Sequence, residues 1–161
     1  WARGYVEPKV VVMYDSMWDS TDAMAKAILD GVTDEGLDAR LIHLRHSDLT
    51  QMATEVLDAA GVAVGTATLN MGLLPSVAAA LTFLKNLKAT GKHGFAFGSY
   101  GWAAGGTQAV AEYLDDMRWN IVRDPLDVQY RPDAKDLDAC RAAGRLLAAK
   151  AREQAQQFVQ G

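Results

Sequence analysis

Six residues, "KVVVMY" from Lys9 to Tyr14, limit what this chain can become more than any other stretch. A strand points alternate side chains to opposite faces, so a β-branched run that is apolar at every position needs cover on both sides. A parallel sheet with helices above and below provides that cover. Two further runs repeat the pattern, "GVAVGTA" from Gly61 to Ala67 and "KHGFAFGSY" from Lys92 to Tyr100. "DARLIHL", Asp38 to Leu44, reads as a second strand. "NIVRDPLDVQY", from Asn120, reads as a weaker fifth, because Pro125 has no N–H to donate and implies an edge or a break.

Helical patterns fill the intervals. Met24, Ala27, Ile28, Gly31 and Val32 recur on one face between Ser20 and about Glu35, and Gly36 supplies a stop. A short helical piece is expected from Leu49 to Asp58. Pro75 suits the first turn of a helix carrying Val77, Ala80, Leu81, Leu84 and Leu87. Val110, Tyr113, Leu114 and Met117 mark another, and a last helix from about Ala134 to Gln157 aligns Leu137, Cys140, Gly144 and Leu147, which puts Cys140 in the core. Strict alternation with five strands predicts an α/β fold, a doubly wound five-stranded parallel sheet in the order 2-1-3-4-5. The 161 residues suit one domain with a single core.

Composition excludes several partners. Acidic residues exceed basic ones, 20 to 16, and no extended basic stretch tracks a nucleic-acid backbone. Cys140 is the only cysteine, so no internal disulfide or cysteine metal cluster forms, and a reducing cytoplasm is the simplest compartment. No apolar run approaches the roughly 20 residues that cross a bilayer. His43, His46 and His93 lack metal-ligand spacing, Asp115 and Asp116 read as solvated helix positions, and no nucleophile or acid-base constellation is present.

In a doubly wound sheet, ligands sit at the carboxyl ends of the strands near the reversal of winding, which selects the loops after strands 1, 3 and 4. The first is "DSMWDST", Asp15 to Thr21. Its hydroxyls, together with the unpaired amides and dipole of a helix start, can hold a phosphate without a cation. It has neither the Gly-Lys-Ser/Thr ending of a P-loop nor the three glycines of a dinucleotide fingerprint. Simple helix capping by Ser20 or Asp19 is the alternative. The second, "TATLNMGLLP", is unusually apolar for a surface loop, with Leu69, Met71, Leu73 and Leu74. The third, "SYGWAAGG", sets Tyr100 and Trp102 around Gly101, which suits a flat ring stacked on side chains and approached by backbone. Each aromatic alone reads as packing; the three loops together point to a ligand with a phosphate at one end and an aromatic ring at the other.

"YDSMWDST", "GTATLNMGLLPSV" and "FGSYGWAAGG" resemble, in order and spacing, the three FMN-binding segments of flavodoxin-like proteins, most closely the flavodoxin-like domain of flavodiiron proteins. The resemblance runs from about Lys9 to the last helix. It implies that Ser16, Met17, Trp18, Ser20 and Thr21 surround the FMN phosphate and ribityl chain. It implies further that Thr68, Leu69, Asn70 and Gly72 border the ring from one loop, and Ser99, Tyr100, Gly101 and Trp102 from the other, with Gly105 and Gly106 completing the turn. Two positions depart from the family pattern: Asp19 stands where glycine is usual, and Ala67 where proline is usual. A carboxylate beside a phosphate repels it, so weaker FMN binding is expected.

The same resemblance implies an electron-transfer role: electrons arrive from a reductase or rubredoxin-like donor and leave for a diiron site in a metallo-β-lactamase-like domain outside these residues, across a head-to-tail dimer in the full-length protein. Residues 1–8, "WARGYVEP", would then be a linker remnant and 9–158 the FMN domain. Because the three loops offer no cation beside the ring, a low-potential carrier is expected. A free-standing flavodoxin-like NAD(P)H:quinone or FMN reductase, and a flavodoxin-like interaction domain that has lost FMN, are the alternatives.

Overall fold

A computed structural model of the chain describes residues 6–17, 19–69 and 72–160. Strands β1 (Glu7–Tyr14), β2 (Asp38–His43), β3 (Ala59–Ala67) and β4 (His93–Tyr100) alternate with helices α1 (Ser20–Asp34), α2 (Leu49–Asp58), α3 (Pro75–Asn86) and α4 (Gly106–Asp116). A 3-10 turn, Leu44–His46, follows β2. The chain continues through β5 (Asn120–Ile121), β6 (Leu126–Gln129) and α5 (Ala134–Gln160). All strand pairs are parallel and the order is β2-β1-β3-β4-β5, the predicted doubly wound arrangement.

The expected fifth strand is split. β5 pairs with His93 and Gly94 at the start of β4, and β6 pairs with Phe97 through Tyr100 at its end. Between them lies Pro125, whose missing N–H breaks the ladder as the sequence implies. At the other end of the chain, β1 begins at Glu7, two residues ahead of the expected Lys9, because Val6 already packs into the core.

The two-faced burial predicted for "KVVVMY" is realised residue by residue. Val10, Val12 and Tyr14 join the core beneath α1 and α5, whereas Val11 and Met13 join the core beneath α2, α3 and α4. On the first face α1 and α5 approach until backbone meets backbone. A Cβ at Gly31 would lie 2.1 Å from the Arg141 carbonyl oxygen, and one at Gly144 2.1 Å from that of Ile28, so only glycine fits at this crossing. Cys140 is fully buried there, and burial pushes its thiol up to about 12.

Two lysines sit at the amino-terminal end of the sheet, away from the selected loops. Lys92 is buried and donates to the carbonyls of Leu57 (3.1 Å) and Ala59 (2.8 Å), satisfying the end of α2, and burial brings its ammonium down to about 8. Lys9 pairs with Glu55 at 2.8 Å.

Candidate functional site

The loops after β1, β3 and β4 converge on one cavity of about 800 Å³, within the range of small-molecule and cofactor sites. From the first loop come Met17, Asp19 and Ser20; from the second, Ala67, Thr68 and Leu69; from the third, Ser99, Tyr100, Gly101, Trp102 and Ala103. Trp102 is 96% exposed, an indole standing free beside the cavity.

Three acids cluster at the first loop, Asp15 and Asp19 within it and Asp22 in the first turn of α1, and the structure accounts for two of them. Asp15 is buried beneath the loop, where its carboxylate accepts from the Ser16 N–H (2.7 Å) and the Ser76 hydroxyl (2.5 Å). Arg45, from the 3-10 turn, pairs with it at 3.3 Å and also donates to the Ser16 carbonyl at 3.2 Å. His43 lies 3.8 Å from the same carboxylate, edge-on to Tyr14 and against His46. Asp22 accepts from the Tyr14 hydroxyl and pairs with Lys26 at 2.9 Å. Burial works to raise the Asp22 carboxyl, but the Tyr14 hydrogen bond and Lys26 outweigh it and hold the group below its ordinary value. Burial, followed by the hydrogen bond to Asp22, pushes the Tyr14 phenol well above its usual range. Both carboxylates therefore serve as buttresses of the turn.

Asp19 is the third acid and differs from both. It has no ion pair or side-chain hydrogen bond among the described residues, and its side chain does not cap α1. Its backbone takes φ +66°, in the left-handed region that glycine enters freely. The turn thus calls for glycine on conformational grounds, and Asp is among the few other residues that tolerate it.

The remaining loop contacts bind the walls together. Thr21 is fully enclosed, and its hydroxyl lies 2.9 Å from that of Ser99, joining the first loop to the third. The Thr68 N–H donates to the Ser99 carbonyl, and the Gly106 N–H donates to the Thr68 hydroxyl at 3.1 Å. Leu69 and Gly72 exchange backbone hydrogen bonds of 2.8 Å, closing a tight turn, while the Leu74 N–H donates to the Thr66 hydroxyl. Gly105 caps α4 with φ +151°. Trp18 and Asn70 lie outside the described residues. Ser16 is only 7% exposed, and its buried hydroxyl has no partner among the described residues.

Two lining residues were missed by a reading confined to three loops. Tyr130 and Arg131, in the turn from β6 to α5, form a fourth wall. Tyr130 adopts φ +61° and is held by its N–H to the Tyr100 carbonyl at 2.7 Å, and Gln129 donates to the Gly101 carbonyl at 3.2 Å. Arg131 brings a cation to the cavity from outside the three loops, which carry none themselves. The signal available was topological: this turn also leaves the carboxyl end of a sheet strand. Among the described residues, no three His, Cys, Asp or Glu side chains are placed to share a metal ion, and no helix is long and apolar enough to cross a membrane.

A parallel 2-1-3-4-5 sheet with a loop-built cavity at its carboxyl edge defines a flavodoxin-like protein, and the chain belongs to the flavodoxin family, whose profile matches residues 12–144. Its relatives include flavodiiron proteins. The chain is 38% identical to a nitric oxide reductase of Moorella thermoacetica over 93% of its own length and 38% of that protein's. It superposes on rubredoxin oxygen:oxidoreductase from Desulfovibrio gigas with a TM-score of 0.89 and 34% identity, covering 92% of this chain and 37% of that one. For the flavodiiron protein of Giardia intestinalis the TM-score is 0.88 at 30% identity, over 95% of this chain and 38% of that one. The chain thus spans little more than a third of each of these proteins.

Proposed function

We propose that this chain is the FMN-binding electron-transfer domain of a flavodiiron-type oxygen or nitric oxide reductase, passing electrons from a reductase or rubredoxin-like donor to a diiron site outside these residues. The observation that carries the reading is the pairing, in one cavity, of a phosphate-type cradle with an aromatic, backbone-rich rim. The cradle consists of the amino-terminal turn of α1, which meets the cavity at Asp19 and Ser20 and whose first amides have no partner within the helix. The rim consists of Tyr100, Gly101 and Trp102 opposite Leu69 and Thr68.

The residues present fit the group. Ser16, Met17, Ser20 and the backbone at Thr21 would hold the phosphate and ribityl chain, with Trp18 assigned there by family resemblance. Thr68, Leu69 and Gly72, with Asn70 assigned likewise, would border the ring on one side, and Ser99, Tyr100, Gly101, Trp102 and Gly105 on the other. When bound, FMN supplies one- and two-electron transfer. The chain's own contribution is to orient the ring, exclude water with Leu69, Met17 and the aromatics, and set the charge around it. A Cβ at Gly101 would meet nothing nearer than Tyr130 at 3.7 Å, so this stretch of backbone has open room for a flat ring to approach.

The relatives' names supply the two terminal acceptors and the rubredoxin donor, and the chain's share of their lengths suits one domain of a larger assembly, a head-to-tail dimer by family resemblance. The test is addition of FMN to the purified chain followed by gel filtration and a visible spectrum. Flavin that elutes with the protein, one per chain, supports the proposal; flavin that separates from a folded chain refutes it.

A further inference from the structure

Four described residues other than glycine have positive φ, and they divide into two pairs. Lys88 and Arg118 each stand just past the C-cap residue of a helix, where the chain commonly turns through the left-handed region. Asp19 and Tyr130 do not end helices; both line the 800 Å³ cavity, from different loops. Backbone strain held at a cavity wall marks residues fixed for what they present there.

What Tyr130 fixes is its neighbour. With its N–H tied to Tyr100, the strained turn delivers Arg131 to the seam between the main cavity and a side cavity of about 310 Å³. Asp19 and Ser20 line both cavities as well, and Ala23 lines the second, so Arg131 reaches the amino-terminal turn of α1. Among the described residues, Arg131 makes no ion pair, not even with Asp19, which likewise makes none. A guanidinium left free beside an unpaired carboxylate, at the amino-terminal turn of a helix, is placed to receive an oxyanion.

Resting on the FMN reading above, we propose that Arg131 is the residue that selects the phosphorylated flavin: its guanidinium closes over the phosphate from the β6–α5 turn and offsets the repulsion from Asp19. The cradle of hydroxyls and amides then binds the phosphate, and Arg131 gives the site its preference for FMN over riboflavin, which has the same ring and ribityl chain without the charge.

The test titrates FMN and riboflavin separately into the wild-type chain and into Arg131→Gln and Arg131→Lys, following quenching of flavin fluorescence at low and high salt. Arg131→Gln is expected to weaken FMN binding about tenfold at low salt while riboflavin binding stays within about twofold, and Arg131→Lys to retain most of the FMN affinity. The FMN loss should shrink in high salt. Arg131 is exposed, so thermal melting of both variants should match the wild type. Equal losses for both flavins would assign Arg131 to the ring or to packing and overturn the inference, as would unchanged FMN affinity. A wild-type chain that binds neither flavin would overturn the FMN reading itself.

Discussion

Replacing Asp19 by glycine separates conformational strain from electrostatics at the turn. The left-handed backbone, φ +66°, costs an L-residue about 1–2 kcal/mol, with Asp at the low end, and glycine avoids it. Glycine in turn loses about 0.5–1 kcal/mol more chain entropy on folding. Because Asp19 makes no side-chain hydrogen bond or ion pair among the described residues, the two effects nearly cancel, and the stability of the flavin-free chain should change by less than about 0.5 kcal/mol. Binding should respond differently. Asp19 is exposed, so its repulsion of a phosphate is that of charges in water, about 0.7 kcal/mol per phosphate charge at roughly 6 Å. With one to two charges on the phosphate, Asp19→Gly should tighten FMN by about 1 kcal/mol, or roughly fivefold in Kd at low salt. At 1 M salt, where the screening length is about 3 Å, the gain should fall below about twofold. Denaturant unfolding of the flavin-free chain and FMN titration at both salts measure the two halves. Equal or weaker FMN binding at low salt, or a stability loss above about 1 kcal/mol, would refute the reasoning.

Trp102→Ala should leave folding unchanged, since the indole is 96% exposed, while weakening FMN by about 1–2 kcal/mol through loss of a stacking surface; unchanged flavin affinity would remove Trp102 from the site. Gly144→Ala forces a Cβ to within 2.1 Å of a backbone oxygen, which no rotamer change relieves, so the variant should lose about 3 kcal/mol or more in thermal or denaturant unfolding. A loss below about 1 kcal/mol would mean that α1 and α5 do not touch there. Lys92, at about 8 in the folded chain against an ordinary 10.5, releases its proton on the folded side first. Over that interval the unfolded chain holds more protons, so stability should rise as pH climbs from 7 to 9, by about 1 kcal/mol, before the raised Cys140 thiol opposes it above 9. Unfolding curves at the two pH values, compared with Lys92→Met, check this: the rise should be missing in the variant, and its persistence there would assign it to another group.

The fold was legible because its signals are local. "KVVVMY" announces two-sided burial within six residues, the helices show their periodicity, and Pro125 announces the break between β5 and β6. The three loops could be found because the strand order selects them. The partners of the buried acids could not: Asp15 meets Arg45 and Ser76, residues that only the folded sheet brings together. Thr21 read as a ligand hydroxyl, yet the structure engages that hydroxyl with Ser99. The fourth wall was hidden for a different reason. Tyrosine carries no signal for a left-handed turn, so nothing in "VQYRPD" marks Tyr130 or predicts that it delivers Arg131 to the cavity. Asp19 lies between these cases: its departure from glycine was visible, whereas the φ that explains why glycine is usual there required the backbone.

The central claim, an FMN-holding cavity built by these loops, is tested most directly by flavin retention. Purified chain incubated with FMN and passed through gel filtration should emerge yellow, with one flavin per chain by visible absorption against protein concentration. A colourless chain that keeps its helical circular dichroism and cooperative unfolding would contradict the account, since the fold would then be present without the site.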